Sequence, residues 1–262
     1  MTCLDTNCGR IDVAEAGGGD AIPIIFLHGV GSDNRVWAPQ LAHFGRRRRA
    51  LACAYPGYGT SEFVDGATRD DYAAAIVAAM DSLAIDRAHI CGLSLGGVVA
   101  IAMHALAPAR CASLIIADSF AVHPDGQGIH DRSVAASHAM SMRALAEARS
   151  AALLGSAASD ELRAEVIETM AAIDPAAYRL GAAAVWLADQ RARAESIDVP
   201  TLILVGAEDS ITPPTLSDQL GALIAGSRVA IINVAGHLSN AEQPEMFNSL
   251  VDRFLSEIEQ QT

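Results

Sequence analysis

Six short apolar runs, closed by turn residues and separated by helix-length segments, constrain this chain's fold more than any other feature. They are IPIIFLHG (22–29), ALACAYPG (50–57), RAHICG (87–92), ASLIIAD (112–118), PTLILVG (200–206) and RVAIINV (228–234). A strand with one wet face alternates apolar and polar residues. These runs do not alternate, so they fit strands buried on both faces, as in a parallel sheet. Between them, DDYAAAIVAAMDSL (70–83), LGGVVAIAMHALA (95–107), TLSDQLGALIA (215–225) and PEMFNSLVDRFLSEIEQ (244–260) carry helical spacing. The βαβα order predicts a doubly wound α/β fold, a mostly parallel sheet with helices on both faces. The opening CGRIDVAEAG is expected to add an antiparallel strand or two at one edge.

One segment breaks the rhythm. From 120 to 188 the chain is rich in Ala, Arg, Met and Glu and holds no strand-like run, while SVAASHAMSMRALAEARSAALL, DELRAEVIETMAAI and AYRLGAAAVWLADQ read as short helices. We expect a core of residues 1–119 and 189–262, with 120–188 as a helical lid inserted between two late strands. Such a lid would lie over the C-terminal edge of the sheet, where open α/β folds bind ligands.

A chain of 262 residues can bury the full core of one such domain. No apolar run approaches the roughly 18–20 residues needed to span a bilayer. MTCLDTNCGRIDV has neither a basic n-region nor an apolar h-region, so a cytoplasmic protein is expected. The five cysteines are odd in number and form no C-x-x-C pair, which suggests neither a disulfide framework nor a zinc site. A net charge of −13 argues against nucleic acid and anionic membranes as partners. RRRR (46–49) is the contrary feature. Without aromatic interleaving or a second basic cluster it reads as the solvated lead-in to a strand. Nothing in the sequence reports the number of subunits.

HICGLSLGGVVA (89–100) brackets Ser94 between Gly92 and Gly96 where an expected strand turns into an expected helix. A serine on so sharp a turn is held with its hydroxyl projecting outward, and its neighbours two positions away must be small. A serine hydroxyl becomes a useful nucleophile only when a base removes its proton and a third group orients that base. Both partners should follow later strands. VGAEDSITPP places Glu208 and Asp209 after one of these, and AGHLSNAEQPEMF places His237 after the next. Of eight histidines, only His237 is a glycine-flanked loop residue just after a late strand. His89 and His104 fall on a strand and a helix, and His123, His130 and His138 in the expected lid. For the acid, Asp209 is preferred over Glu208, whose longer side chain sits one position nearer the strand. Asp118, ending its own strand, is a rival.

Attack on a carbonyl develops negative charge on oxygen, which positioned N–H donors stabilise. The Leu95 amide, following the serine, is one expected donor. The Val30 amide in HGVG, after an early strand, is the other. Cys91 reads as buried strand rather than a second nucleophile.

HGVG, YPGYGTSE, GLSLGG, GAEDSITPP and GHLSNAEQPEMF together resemble the α/β-hydrolase superfamily, and the last motif is most similar to that of 3-oxoadipate enol-lactonases and related carboxylesterases. The resemblance covers roughly 22–118 and 198–258. It implies a metal-free and cofactor-free serine hydrolase of a small-molecule ester or lactone, with Ser94 as nucleophile, His237 as base and then acid, Asp209 as its orienter, and the Val30 and Leu95 amides as oxyanion hole. Such a base must be neutral to work, so activity should fall as pH drops through its pKa. A C–C bond hydrolase of ring-cleavage products or a cofactor-free perhydrolase shares these residues. A ligand-binding protein that merely keeps the fold needs none of them. The resemblance thins in 120–188. There Arg132, Arg143, Arg149 and Arg179 are each candidates to pair a substrate carboxylate, and Trp186 either lines the pocket or anchors its helix.

Overall fold

Residue-by-residue alternation in the strands explains why their apolar runs are continuous. In the strand Ile24–Leu27, Ile25 and Leu27 join one buried cluster while Ile24 and Phe26 join another on the opposite face. Leu114 and Ile116 against Ile115 and Ala117 repeat the pattern in the strand Cys111–Ala117. Both of these strands are thus covered on both sides and have no polar face to show.

The computed structural model describes residues 2–260, so residue 1 and residues 261 and 262 of the expected core lie outside the described residues. Eight strands form one sheet among them: β1 (Thr2–Thr6), β2 (Gly9–Ala16), β3 (Ile24–Leu27), β4 (Ala50–Cys53), β5 (Ala88–Leu93), β6 (Cys111–Ala117), β7 (Thr201–Gly206) and β8 (Arg228–Ile232). Their order is β1-β2-β4-β3-β5-β6-β7-β8. The pairs from β4 to β8 are parallel, and β1 and β2 form the expected antiparallel edge.

The helices are α1 (Ala38–Phe44), α2 (Arg69–Ser82), α3 (Leu95–Leu106), α4 (Gly126–Ala139), α5 (Met142–Leu153), α6 (Asp160–Ala171), α7 (Pro175–Trp186), α8 (Arg191–Glu195), α9 (Pro214–Leu223), α10 (Ser239–Glu242) and α11 (Pro244–Glu259). Local chemistry sets their ends. Thr68 and Asp71 form a reciprocal capping box at the start of α2. On α11, Phe247, Val251, Phe254 and Leu255 recur at helical spacing and bury one stripe. None of the described helices is long and apolar enough to cross a membrane.

Three sequence expectations are modified. RVAIINV is not buried on both faces: as β8, the edge strand of the sheet, it leaves Arg228, Val229 and Ile231 exposed. The stretch 133–154 is not one helix: it breaks at Met140 and restarts at α5, because the Ser141 hydroxyl accepts the Ala144 N–H and caps a new first turn. Nor is RRRR uniformly solvated. Arg48 is buried, donating to the Ile22 carbonyl and in a bidentate pair with Glu259 at 2.6 and 3.1 Å, which ties the end of α11 to the foot of the sheet. Arg49 bonds Glu15 and the Leu83 carbonyl. Only Arg46 and Arg47 are exposed.

Candidate active site

Five loops leave the sheet at its C-terminal edge after β3, β5, β6, β7 and β8, and they carry His28 to Ser32, Ser94, Asp118, Asp209 and His237. The turn from β5 into α3 is a single residue. Ser94 occupies it with φ 55° and ψ −114°, a conformation L side chains rarely adopt. Its glycine neighbours are required by space. A Cβ on Gly92 would sit 2.1 Å from the Gly96 carbonyl oxygen, and one on Gly96 would sit 2.1 Å from that of Leu27.

Ser94, His237 and Asp209 form a buried chain of hydrogen bonds. The Ser94 Oγ lies 3.0 Å from His237 Nε2, and His237 Nδ1 lies 2.8 Å from Asp209 Oδ2. Because Nδ1–H donates to a carboxylate, Nε2 is left as the acceptor for the serine hydroxyl. Asp209 is itself held in place. Its Oδ1 accepts the Ile211 and Thr212 amides at 2.8 and 2.9 Å, and its Oδ2 accepts the Thr212 hydroxyl at 2.7 Å. Burial disfavours both charges. For Asp209 the imidazole and these donors outweigh burial and lower its pKa; for His237 the Asp209 carboxylate outweighs burial and raises it, with Asp118 helping and Arg149 opposing.

The rival carboxylates go elsewhere. Glu208 is exposed and accepts the Ser156 amide and hydroxyl. Asp118 is fully buried beside the site but bonds the Gly206 amide and the Ser239 hydroxyl rather than His237. Burial, reinforced by the Asp209 charge, pushes its pKa up to about 8. The other histidines are engaged outside this chain of bonds. His89 contacts Ser113 and Glu259, His104 contacts Asp198, and His123 packs edge-on against Trp186. Cys91 is buried in β5, and desolvation drives its thiol pKa well up.

Val30 and Leu95, whose amides are the expected oxyanion donors, flank Ser94 from the loop after β3 and from the first position of α3. Gly29 is so close that a Cβ there would lie 3.4 Å from Ser94 Cβ. His28 is neutral, since burial lowers its pKa to about 4. Its Nε2 accepts the Tyr55 amide at 3.4 Å, so its Nδ1–H donates to the Gly29 carbonyl at 2.8 Å. In a trans peptide the following N–H points the other way, which turns the Val30 amide away from that bond. Neither Val30 N–H nor Leu95 N–H, at the first position of α3, has a backbone acceptor among the described residues.

Above the serine is a cavity of about 560 Å³, lined by Gly29, Val30, Ser94 and His237 below and by α5, α6 and α7 above. Arg149, Leu153, Leu162, Val166, Thr169 and Trp186 supply much of its roof. Of the four arginines singled out from sequence, Arg149 alone lines it. Arg132 is paired with Asp125 at 2.7 Å and Arg143 with Glu168 at 2.6 Å. Among the described residues Arg149 has a single bond, 3.3 Å to the Tyr178 hydroxyl, and no carboxylate partner. Trp186 does both things open to it: it lines the cavity and stacks on Phe120 with centroids 5.7 Å apart.

Sequence reasoning missed three polar supports. Thr212, three residues after Asp209, closes a local side-chain turn of a kind that spacing suggests. Ser239 gave no local signal. Glu242 accepts the Gly155, Gly236 and Leu238 amides at 2.7, 2.9 and 3.3 Å, while the His237 amide donates to Leu153 O at 3.0 Å. The end of α5 is thereby fastened to the histidine loop.

The chain is similar to known proteins along nearly its whole length. Residues 24–250 match the alpha/beta hydrolase family. The chain is 29% identical over 242 residues to 3-oxoadipate enol-lactonase 1 of Acinetobacter baylyi, covering 92% of this chain and 91% of that one. It is 26% identical to carboxylesterase YbfK of Bacillus subtilis, over 96% of this chain and 86% of that one. The crystal structure of the enol-lactonase from Burkholderia xenovorans LB400 superposes with a TM-score of 0.91 at 27% identity, covering 97% of this chain and all of that one.

Proposed function

We propose that this chain, which belongs to the alpha/beta hydrolase family, hydrolyses a small carboxylic ester or lactone through an acyl-enzyme on Ser94. The observation that carries this reading is the unbroken chain from Ser94 Oγ to His237 to Asp209, with links of 3.0 and 2.8 Å, opening on a substrate-sized cavity. Relatives named as enol-lactonase and carboxylesterase support the ester or lactone bond as target.

As substrate enters, Ser94 Oγ attacks the carbonyl carbon while His237 Nε2 takes the hydroxyl proton. Asp209 holds the ring in the tautomer that leaves Nε2 free and stabilises the imidazolium that forms. The oxygen becomes an oxyanion held by the Val30 and Leu95 amides, whose donors are aimed before the reaction begins. Collapse breaks the carbonyl carbon to leaving-oxygen bond, and His237 returns its proton to that oxygen. A water then repeats the sequence on the acyl-serine, releasing the acid and restoring Ser94. For a lactone the leaving oxygen stays tethered to the acyl chain, so one product forms.

Residues 120–188 serve as the lid over residues 1–119 and 189–262, and Arg149 on it meets the carboxylate of an acidic substrate. The chain works in the cytoplasm without metal, cofactor or nucleic-acid partner. The test is turnover of an acidic enol-lactone and of a short neutral aryl ester by wild type and Ser94→Ala. Loss of both activities in the variant supports the reading. Full activity in Ser94→Ala overturns it, and turnover of the neutral ester alone removes the acidic substrate while keeping the nucleophile.

A further inference from the structure

Asp118 takes no part in the reaction just described, yet it touches the machinery on two sides. At the C-terminal end of β6 the backbone turns through φ 48° at Asp118, a left-handed conformation rarely taken outside glycine. Its amide donates to the Leu204 carbonyl of β7 at 2.8 Å. Its Oδ1 accepts the Gly206 amide at 2.8 Å, three residues before Asp209. Its Oδ2 meets the hydroxyl of Ser239, two residues after His237. One buried side chain therefore spans the loop that carries the acid and the loop that carries the base.

The next residue reaches the third loop. Ser119, also buried, donates its hydroxyl to the Ser94 carbonyl at 2.8 Å. That carbonyl shares a peptide plane with the Leu95 amide, and in a trans peptide the two point in opposite directions. The same carbonyl accepts the Gly97 and Val98 amides of α3 at 2.9 and 3.3 Å, so the Ser119 bond is a third restraint on this peptide plane, and the only one of the three that comes from the end of β6. Gly97 leaves room for this contact, since a Cβ there would lie 2.5 Å from the Ser119 hydroxyl oxygen.

We propose that Asp118 and Ser119 are positioning residues that set Ser94, Asp209 and His237 in register by tying their three loops to the end of β6. The proposal rests on the Ser94 mechanism above but not on the identity of the substrate. Neither residue touches the reacting atoms; both act through the groups they hold. Buried polar groups left without partners rearrange or destabilise their surroundings, so breaking the clamp should loosen the His237 contacts on both sides.

Asparagine and leucine at position 118 separate the bonding from the bulk. In Asp118→Asn the carbonyl still accepts the Gly206 amide and the amide nitrogen donates to Ser239, so kcat should stay within about threefold of wild type near pH 7. Leucine has nearly the same size and neither bond. Asp118→Leu should lose about 10- to 100-fold in kcat with little change in KM, since a 1 Å misplacement costs on that order. A direct readout is the far-downfield proton resonance of His237 Nδ1–H bonded to Asp209: retained in Asp118→Asn, shifted or lost in Asp118→Leu.

The titratable groups facing Asp118 are Asp209 and His237, with Arg149 facing His237 in turn. Ionisation of Asp118 in alkaline solution would place a second negative charge beside them, so wild type should show an alkaline inflection in kcat that Asp118→Asn lacks. If Asp118→Leu fails to fold, Ser239→Ala, which removes only the partner of Oδ2, should still lower kcat about fivefold or more and shift the same resonance. Wild-type kcat, resonance and pH profile in either of these variants overturn the inference. So does an Asp118→Asn variant as slow as Asp118→Leu, because the carboxyl group itself would then be needed. Ser94→Ala assayed alongside keeps the two claims apart: if it is inactive while Asp118→Leu is normal, the mechanism stands and only the clamp falls.

Discussion

Replacing Arg149 with methionine tests the substrate reading at its most exposed point. The side chain lines the cavity with Ser94 and His237, and among the described residues its one hydrogen bond is a 3.3 Å contact to the Tyr178 hydroxyl and no carboxylate pairs with it. Methionine keeps the aliphatic stem and removes the charge. A charge-assisted hydrogen bond contributes about 1.5–3 kcal/mol, and about 1.4 kcal/mol corresponds to tenfold, so kcat/KM for an acidic lactone should fall by about 10- to 150-fold. A short neutral aryl ester has nothing for the guanidinium to hold, and its kcat/KM should stay within about threefold. The comparison uses pH-independent limiting values taken from full pH profiles, because Arg149 also lowers the His237 pKa. Without it the acid limb of both profiles should move toward higher pH. An equal loss on both substrates would mean that the arginine supports the cavity's shape, and no loss on either would mean that the substrate carries no anion there. Either result refutes carboxylate recognition by Arg149.

His237 has a pKa raised above its ordinary 6.5 by Asp209 and must be neutral to accept the serine proton, so kcat/KM should fall as pH drops, with its midpoint above 6.5; a flat profile from pH 5 to 8 contradicts the base role. Asp209→Asn offers an amide N–H where His237 Nδ1–H needs an acceptor. The wrong tautomer should cost on the order of 10⁴ in kcat with KM little changed, as in other serine triads, measured by initial rates. Gly96→Ala drives a Cβ to 2.1 Å from the Leu27 carbonyl oxygen, backbone against backbone. The strand or helix must give way, so urea denaturation should show a loss of about 3 kcal/mol or more, and a variant of unchanged midpoint would contradict the close approach. Folded Asp118 keeps a proton that the unfolded chain has released between about pH 4 and its native pKa of about 8. Wild-type stability should therefore decline relative to Asp118→Asn by up to about 1.4 kcal/mol per pH unit across that window, read from urea midpoints at pH 5 and 7.5; parallel curves would contradict it.

Much of this protein is legible in its sequence, because the signals are local. A strand buried on both faces must be apolar throughout, so β3 to β7 announced themselves, while β8, equally apolar in sequence, lies at the sheet edge with Val229 and Ile231 exposed. A one-residue turn from β5 to α3 leaves no room for a Cβ at Gly92 or Gly96, so the position of Ser94 could be read from its neighbours. The order of strands then sent Asp209 and His237 to the same edge. What the chain did not carry locally was the choice among chemically equal groups. Asp118 and Asp209 both end strands, and only the packing of β6 against β7 decides that Asp118 meets Gly206 and Ser239 while Asp209 meets His237. The four arginines singled out in 120–188 look alike in sequence. Arg132 and Arg143 find carboxylates, and Arg149 faces the cavity, because α4 to α7 fold back over the sheet. Arg48 reads as solvated until α11 brings Glu259 to it from 211 residues away. Periodicity and sterics act between neighbours in the chain and leave a mark there, whereas a side chain's partner is settled by distance, burial and charge among residues that only the folded structure brings together.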